Sequence, residues 1–348
     1  MNGTAGSSGE VVLSVHSLRT HYVTADGVFA AVRDVSFEVR RLERLGIVGE
    51  SGSGKSALSL SILGLIDPPG QIVSGQVYLN GRDIRALGEK DLRTIRGREI
   101  AIVFQDPLTG LDPIKSIGDQ IIEAIRIHQA VSRDRAKKMA VDLLRDVEVP
   151  YAARRLADYP HQYSGGMRQR VMIAMALANS PDVLIADEPT TALDVTTQAQ
   201  VLDMLERRAT ERGAAVILIT HNLGIVAEFC DTVQVMYAGR IVERSPAQGL
   251  FDHPLHPYTE ALLKAVPRTG SAGGQLFAIG GLPPSLANLP PGCSFEPRCP
   301  VGRGEEICSS TVPEPVSLSV PGGTAVAECH FARQRHATTA DASEVAER

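Results

Sequence analysis

The 348-residue chain has no apolar run long enough to span a bilayer and no charged-then-apolar leader. It also has no Lys/Arg run or basic tail, and its formal net charge is −5. Broad electrostatic attraction to nucleic acid or to anionic lipid is therefore not expected. The reading is of a cytosolic chain that reaches a membrane only through a partner. Cysteine is scarce for most of the length: of five, only Cys230 precedes residue 290, and in Phe229-Cys230-Asp231 it reads as a small buried hydrophobe. A disulfide framework is not what a reducing cytosol supports. What remains is an ordinary balance, 43% hydrophobic and 22% charged, in a chain long enough for more than one domain.

Against that background stands Gly49-Glu50-Ser51-Gly52-Ser53-Gly54-Lys55-Ser56, directly after the apolar run Leu45-Gly46-Ile47-Val48. Glycines at 49, 52 and 54 admit backbone conformations closed to other residues, so that the N–H groups of the loop, Ser51 and Ser53 included, converge on phosphate oxygens at a helix start near Lys55. Lys55 supplies a point charge for the β- and γ-phosphates, and Ser56 a hydroxyl for Mg²⁺. The apolar helix Ala57–Leu63 that follows sets this apart from a flexible glycine-serine turn. The chain is expected to bind a nucleoside triphosphate.

Residues 1–10 and 334–348 read as disordered tails. Between them come β-rich segments at Val11–Val15, Ala31–Val39 and Gly75–Leu79, the last closed by the turn signal Asn80-Gly81. A mostly helical stretch spans about 114–178, with apolar spacing at Ile121, Ile122 and Ile125 and at Ala140, Leu143, Leu144 and Val147. The runs Val183–Ala186 and Ala215–Ile219 suit strands buried on both faces of a parallel sheet. The expected fold is α/β: a nucleotide-binding domain over 11–255, β-rich at its N-terminus and carrying a helical insertion. Residues 256–333, rich in Pro and Gly after His256-Pro257-Tyr258-Thr259, read as a small accessory domain stapled by something other than a hydrophobic core.

Hydrolysis of a triphosphate needs a held metal and a carboxylate for the attacking water. Asp187 and Glu188, at the end of the buried run, supply both: Asp187 toward Mg²⁺, Glu188 as general base. Alone they would be a solvated acidic pair at a strand end. Tyr163-Ser164-Gly165-Gly166-Met167-Arg168-Gln169-Arg170 is a second glycine-led helix start, with Ser164 as N-cap and bare backbone N–H groups facing outward.

The order of the phosphate loop, Phe104-Gln105-Asp106-Pro107, Tyr163–Arg170, Asp187-Glu188-Pro189-Thr190-Thr191-Ala192-Leu193-Asp194 and Thr220-His221-Asn222 resembles the nucleotide-binding subunit of an ABC transporter, over roughly residues 11–266. Asp26-Gly27, Pro160-His161-Gln162-Tyr163 and the tail from His256 to Gly292-Cys293-Ser294-Phe295-Glu296-Pro297-Arg298-Cys299-Pro300 are similar to the dipeptide/oligopeptide importer ATPases. The resemblance implies a P-loop NTPase core of ABC type. It places Tyr22 on adenine and Gln105 on the metal and lytic water. Ser164, Gly165 and Gly166 would grip the γ-phosphate held by an opposite subunit, Asp194 would link the two sites, and His221 would contact the γ-phosphate. It also implies ATP and Mg²⁺ as ligands, two integral membrane permease subunits, a second ABC ATPase that is a paralogue or an identical copy, and a solute-binding protein acting indirectly. The location implied is the cytoplasmic face of the cell membrane, with no nucleic acid as partner.

Two departures stand out: Leu42 fills a turn usually given to glycine, which would be reshaped or weakened, and Gln162 replaces a common acidic residue before the signature. The late cysteines, Cys293, Cys299, Cys308 and Cys329, lack the tight spacing of a zinc ribbon. The resemblance implies a 4Fe-4S cluster, with zinc or free thiols as alternatives. Other readings of the whole are a non-transport ABC ATPase, an importer of another solute such as nickel, and a metal-sensing regulatory ATPase.

Overall fold

A computed structural model describes residues 9–25, 27–106, 110–190, 193–266 and 278–337. Asp26, Pro107, Thr191, Ala192 and most of both expected tails lie outside the described residues. The strands, in chain order, are β1 (Val11–Thr24), β2 (Gly27–Arg40), β3 (Arg44–Val48), β4 (Gly70–Leu79), β5 (Arg82–Asp83), β6 (Ile100–Val103), β7 (Val183–Asp187), β8 (Ala215–Thr220), β9 (Thr232–Tyr237), β10 (Arg240–Pro246), β11 (Pro315–Val320) and β12 (Gly323–Glu328).

They form two sheets. The first is antiparallel, in the order β2-β1-β4-β5. Asn80 and Gly81 both take positive φ between Leu79 and Arg82, the two-residue turn that the sequence signals. The second sheet runs β11-β12-β10-β9-β3-β8-β7-β6. Its strands β9, β3, β8, β7 and β6 are mutually parallel, and every residue of β7 and β8 is buried. Continuous apolar runs fit that setting, because helices cover both faces. Val48, Asp187 and Thr220 end three of these strands at the same edge, so the loops that follow gather there.

The helical insertion holds Ile117–His128, Arg133–Asp146, Ala152–Arg155 and Gly165–Ala176. Ser116 and Ser132 cap the first two through the N–H groups of Asp119 and Arg135. Gln162 accepts the Tyr159 N–H at 2.8 Å, an acceptor's task that its carbonyl oxygen performs as a carboxylate would. Leu42 adopts the turn with φ 65 and is 50% exposed. The turn is thus kept in the left-handed region, at the cost of strain that glycine would not incur.

The C-terminal part is joined to the main sheet and core. β12 pairs with β10, so the β11–β12 hairpin extends the main sheet. Phe295 and Cys299 are buried in the same core as the helical insertion. The Pro/Gly-rich sequence conceals this because its apolar residues pack on another part of the chain. The tail expectation also shifts: Gly9 accepts from Arg40, and residues 332–337 are helical, with Arg335 bonded to the Leu255 carbonyl and Glu260.

Candidate active site

Two glycines of the loop after β3 leave no room for a side chain. A Cβ at Gly49 would run into the Met236 carbonyl and Ser53 Oγ, and one at Gly54, which has φ 106, into the Ala31 carbonyl. Gly52 is also left-handed, at φ 78, but faces open space. Gly54 is the N-cap of the helix Lys55–Leu63. Lys55 is 6% exposed, and its Nζ donates to the carbonyls of Gly49 at 2.8 Å and Glu50 at 2.9 Å. Burial lowers its pKa, while Glu188, Asp187 and Glu50 pull the other way. Ser51 and Ser56 are exposed on the loop, and Ser53 is buried beneath it.

Asp187 is 6% exposed at the end of β7. Burial raises its pKa first of all, and a hydrogen bond with Ser56 opposes that. Its Oδ1 is buried without a hydrogen-bond partner. An orphan carboxylate oxygen beside a serine hydroxyl is an all-oxygen donor set that fits Mg²⁺.

Glu188 follows in a strained conformation, φ 46, with its N–H on the Ile219 carbonyl at 2.8 Å. Gln105 Nε2 donates to Glu188 Oε2 at 2.9 Å, and His221 Nδ1 lies 3.2 Å from Oε1. The structure therefore brings Gln105, Glu188 and His221 together next to Asp187. Asn222, the next residue, caps the helix Leu223–Phe229 and so fixes where β8 hands over to His221.

The second glycine-led start stands apart. Ser164 caps Gly165–Ala176 by accepting the Met167 N–H at 3.3 Å. A Cβ at Gly165 would meet nothing, and one at Gly166 would lie 2.9 Å from Thr197 Cγ2. Thr197 donates from N and Oγ1 to Asp194 at 2.9 and 2.7 Å, so one threonine joins both segments. These bonds, the backbone one foremost, lower the Asp194 pKa. Among the described residues no hydrogen bond joins Ser164, Gly165, Gly166 or Asp194 to the phosphate loop. Tyr22 is half-buried on β1 opposite Phe29, and its Cε1 would lie 2.8 Å from a Cβ at Gly70.

Sequence reading gave Glu50 no role beyond its place in the loop and passed over Tyr258 and Arg298, all of which meet at the loop's first turn. No disulfide joins the late cysteines. Gly302 lies among them, its N–H donating to Cys299 Sγ at 3.2 Å and its Cβ position 2.7 Å from Cys308 Sγ. Burial pushes the Cys293 thiol up to about 12 and Cys329 to about 11, with the other late cysteines adding to both. Among the described residues no group of three or more His, Cys, Asp or Glu is placed to hold a metal ion, so neither the 4Fe-4S cluster nor the zinc alternative finds support in the placement of these residues. Cys230 is buried against Gly46, as a small hydrophobe would be.

Residues 32–191 match the ABC transporter family, and residues 242–308 match the C-terminal region of oligopeptide/dipeptide transporters. The chain belongs to the ABC transporter family and is an ATP-hydrolysing motor subunit of its oligopeptide/dipeptide branch. It is 48% identical over 303 residues to the oligopeptide transport ATP-binding protein OppD of Salmonella typhimurium, covering 87% of this chain and 90% of that protein. With OppD of Escherichia coli it shares 47% over 309 residues, 89% of this chain and 91% of that one. Among solved structures it is similar to the dimeric ATP-binding cassette MJ0796 in a post-hydrolysis state bound to ADP and Pi, with TM-score 0.61, 28% identity, 68% of this chain and 99% of that chain. No helix among the described residues is long and apolar enough to cross a membrane.

Proposed function

We propose that the chain drives the import of oligopeptides from the cytoplasmic face of the cell membrane, hydrolysing ATP between its own phosphate loop and the Ser164 segment of a second cassette. The observation that carries the reading is the Gln105–Glu188–His221 contact set at the mouth of a loop that only glycine can shape. Two permease subunits and, through them, an external solute-binding protein complete the proposed assembly; the names of the similar OppD proteins support the solute class.

In this reading Lys55 leaves the Gly49 and Glu50 carbonyls for the β- and γ-phosphates, and backbone N–H groups from Ser51 to Ser56 surround them. Ser56, Asp187 and Gln105 would hold Mg²⁺, which would supply stabilisation of charge on the terminal phosphate. Glu188 accepts the proton of the attacking water, Gln105 orients that water, and His221 contacts the γ-phosphate. Tyr22 provides an aromatic face for adenine. Ser164, Gly165 and Gly166 present N–H groups to the nucleotide of the opposite cassette, and Asp194 links the two sites. For the late cysteines the reading is a 4Fe-4S cluster, which the thiolates of Cys293, Cys299, Cys308 and Cys329 would ligate; of these, Cys299 and Cys308 both approach Gly302.

Glu188→Gln should retain MgATP binding, lose at least ~100-fold in steady-state hydrolysis and accumulate a nucleotide-bound dimer in light scattering. Undiminished turnover would remove Glu188 as the base. Lys55→Ala should weaken binding of a fluorescent ATP analogue at least ~10-fold, and unchanged affinity would move the site elsewhere.

A further inference from the structure

Every polar group of Glu50 is engaged. Its N–H donates to the Tyr258 hydroxyl at 2.8 Å, its carbonyl accepts from Lys55 at 2.9 Å, and its carboxylate receives both ends of the Arg298 guanidinium at 2.7 and 3.0 Å. Arg298 lies 248 positions later in the chain, and its side chain is only 4% exposed. It is itself held by the Gly280 carbonyl at 3.0 Å and the Tyr237 hydroxyl at 3.3 Å, with its guanidinium 5.9 Å from the Tyr237 ring centre. A forked, charge-assisted pair fixes both the position and the rotation of the carboxylate, which a lysine could not do.

The placement is not what anchoring alone requires. The C-terminal hairpin already has a two-bond ion pair to the main sheet, Arg240 to Glu328 at 2.8 and 2.9 Å, which does not involve Glu50. Arg298 instead ends on Glu50, one of the two residues whose carbonyls hold the loop lysine. Its neighbour Cys299 is buried in the main core, so the arginine is delivered from a fixed support.

We propose that Arg298 is a positioning residue for the nucleotide: acting through Glu50, it holds the first turn of the phosphate loop in its binding shape, and the C-terminal segment thereby sets the affinity for MgATP. This rests on the nucleotide site proposed above. A loop released at Glu50 must be ordered again at each binding event, which weakens binding and leaves the chemistry at Glu188 alone.

The test uses the full chain, with equilibrium titration of a fluorescent ATP analogue in Mg²⁺ and ATPase rates at saturation. Arg298→Gln should raise Kd about tenfold, within the range of ordinary site couplings, with kcat changed less than about twofold. Arg298→Lys, which keeps the charge and loses the fork, should fall between it and the native protein. Glu50→Gln should reproduce the loss, and the Glu50→Gln/Arg298→Gln pair should be no worse than either single change. Arg240→Gln, which loosens the hairpin elsewhere, should lower the melting temperature and leave Kd unchanged. Native affinity in Arg298→Gln and Arg298→Lys overturns the proposal, as does an equal loss of affinity in Arg240→Gln. Should Arg298→Gln fail to fold, Arg298→Lys and Glu50→Gln still decide. Native affinity in Lys55→Ala would instead condemn the nucleotide site itself.

Discussion

Leu42 and Glu188 share an uncommon property, a left-handed backbone under a full side chain, with φ 65 and 46. For Glu188 the setting explains it: its N–H is committed to the Ile219 carbonyl of the neighbouring strand, and both carboxylate oxygens have partners in Gln105 and His221. The strain sits where the chemistry is expected. For Leu42 no such contact appears, and half the side chain is exposed. Leu42→Gly should therefore stabilise the protein by about 0.5–1 kcal/mol, the relieved strain outweighing the added freedom of the unfolded chain. A melting temperature that falls would show that the exposed leucine makes a contact of greater worth. Sequence reading found this position by its missing glycine, but whether the turn would survive depended on neighbours that composition does not reveal.

Among the elements, the strand ends were legible and the long-range braces were not. Glycine spacing and a following apolar helix announce the phosphate loop, and unbroken apolar runs announce β7 and β8, because both signals are local. The alternation of Val316, Leu318 and Val320 is short, and β10, on which their hairpin docks through β12, lies far back in the chain. The helix Pro257–Ala265 is braced in a similarly hidden way: Glu243 of β10 accepts the N–H groups of Leu255 and His256 at 2.9 and 2.8 Å. Burial pushes the Glu243 carboxyl up to about 7 and drops the His256 ring to about 3. Folded Glu243 keeps its proton longer than unfolded Glu243, so its effect lowers stability as pH rises from its ordinary 4.5 to about 7. His256 acts oppositely, removing stability as pH falls from 6.5 toward 3. Glu243→Gln isolates the first effect: its stability relative to the native protein should climb from about pH 5 to 7 and then level, by at most ~3 kcal/mol. A flat difference in chemical denaturation across that range would contradict the raised carboxyl.

At the scale of the whole molecule, the two glycine-led helix starts follow different elements, and among the described residues the hydrogen bonds of Ser164 stay within its own helix. A second cassette is the economical way to bring such a segment to a phosphate loop. A crystal of Glu188→Gln with MgATP is expected to show Ser164 on the partner's nucleotide; a nucleotide touched by one chain alone would refute the pairing. Iron content and visible absorption of protein purified without air should register the cluster at the late cysteines, and simultaneous replacement of all four by serine should abolish both.

Lys55 lies folded onto the carbonyls of its own loop. Those two oxygens serve as stand-ins for phosphate, keeping the cradle cast in its final form while it waits. If Lys55 takes the proposed role, ATP asks it only to trade one pair of acceptors for another, and association in stopped flow should be fast, with no slow phase from refolding of the loop.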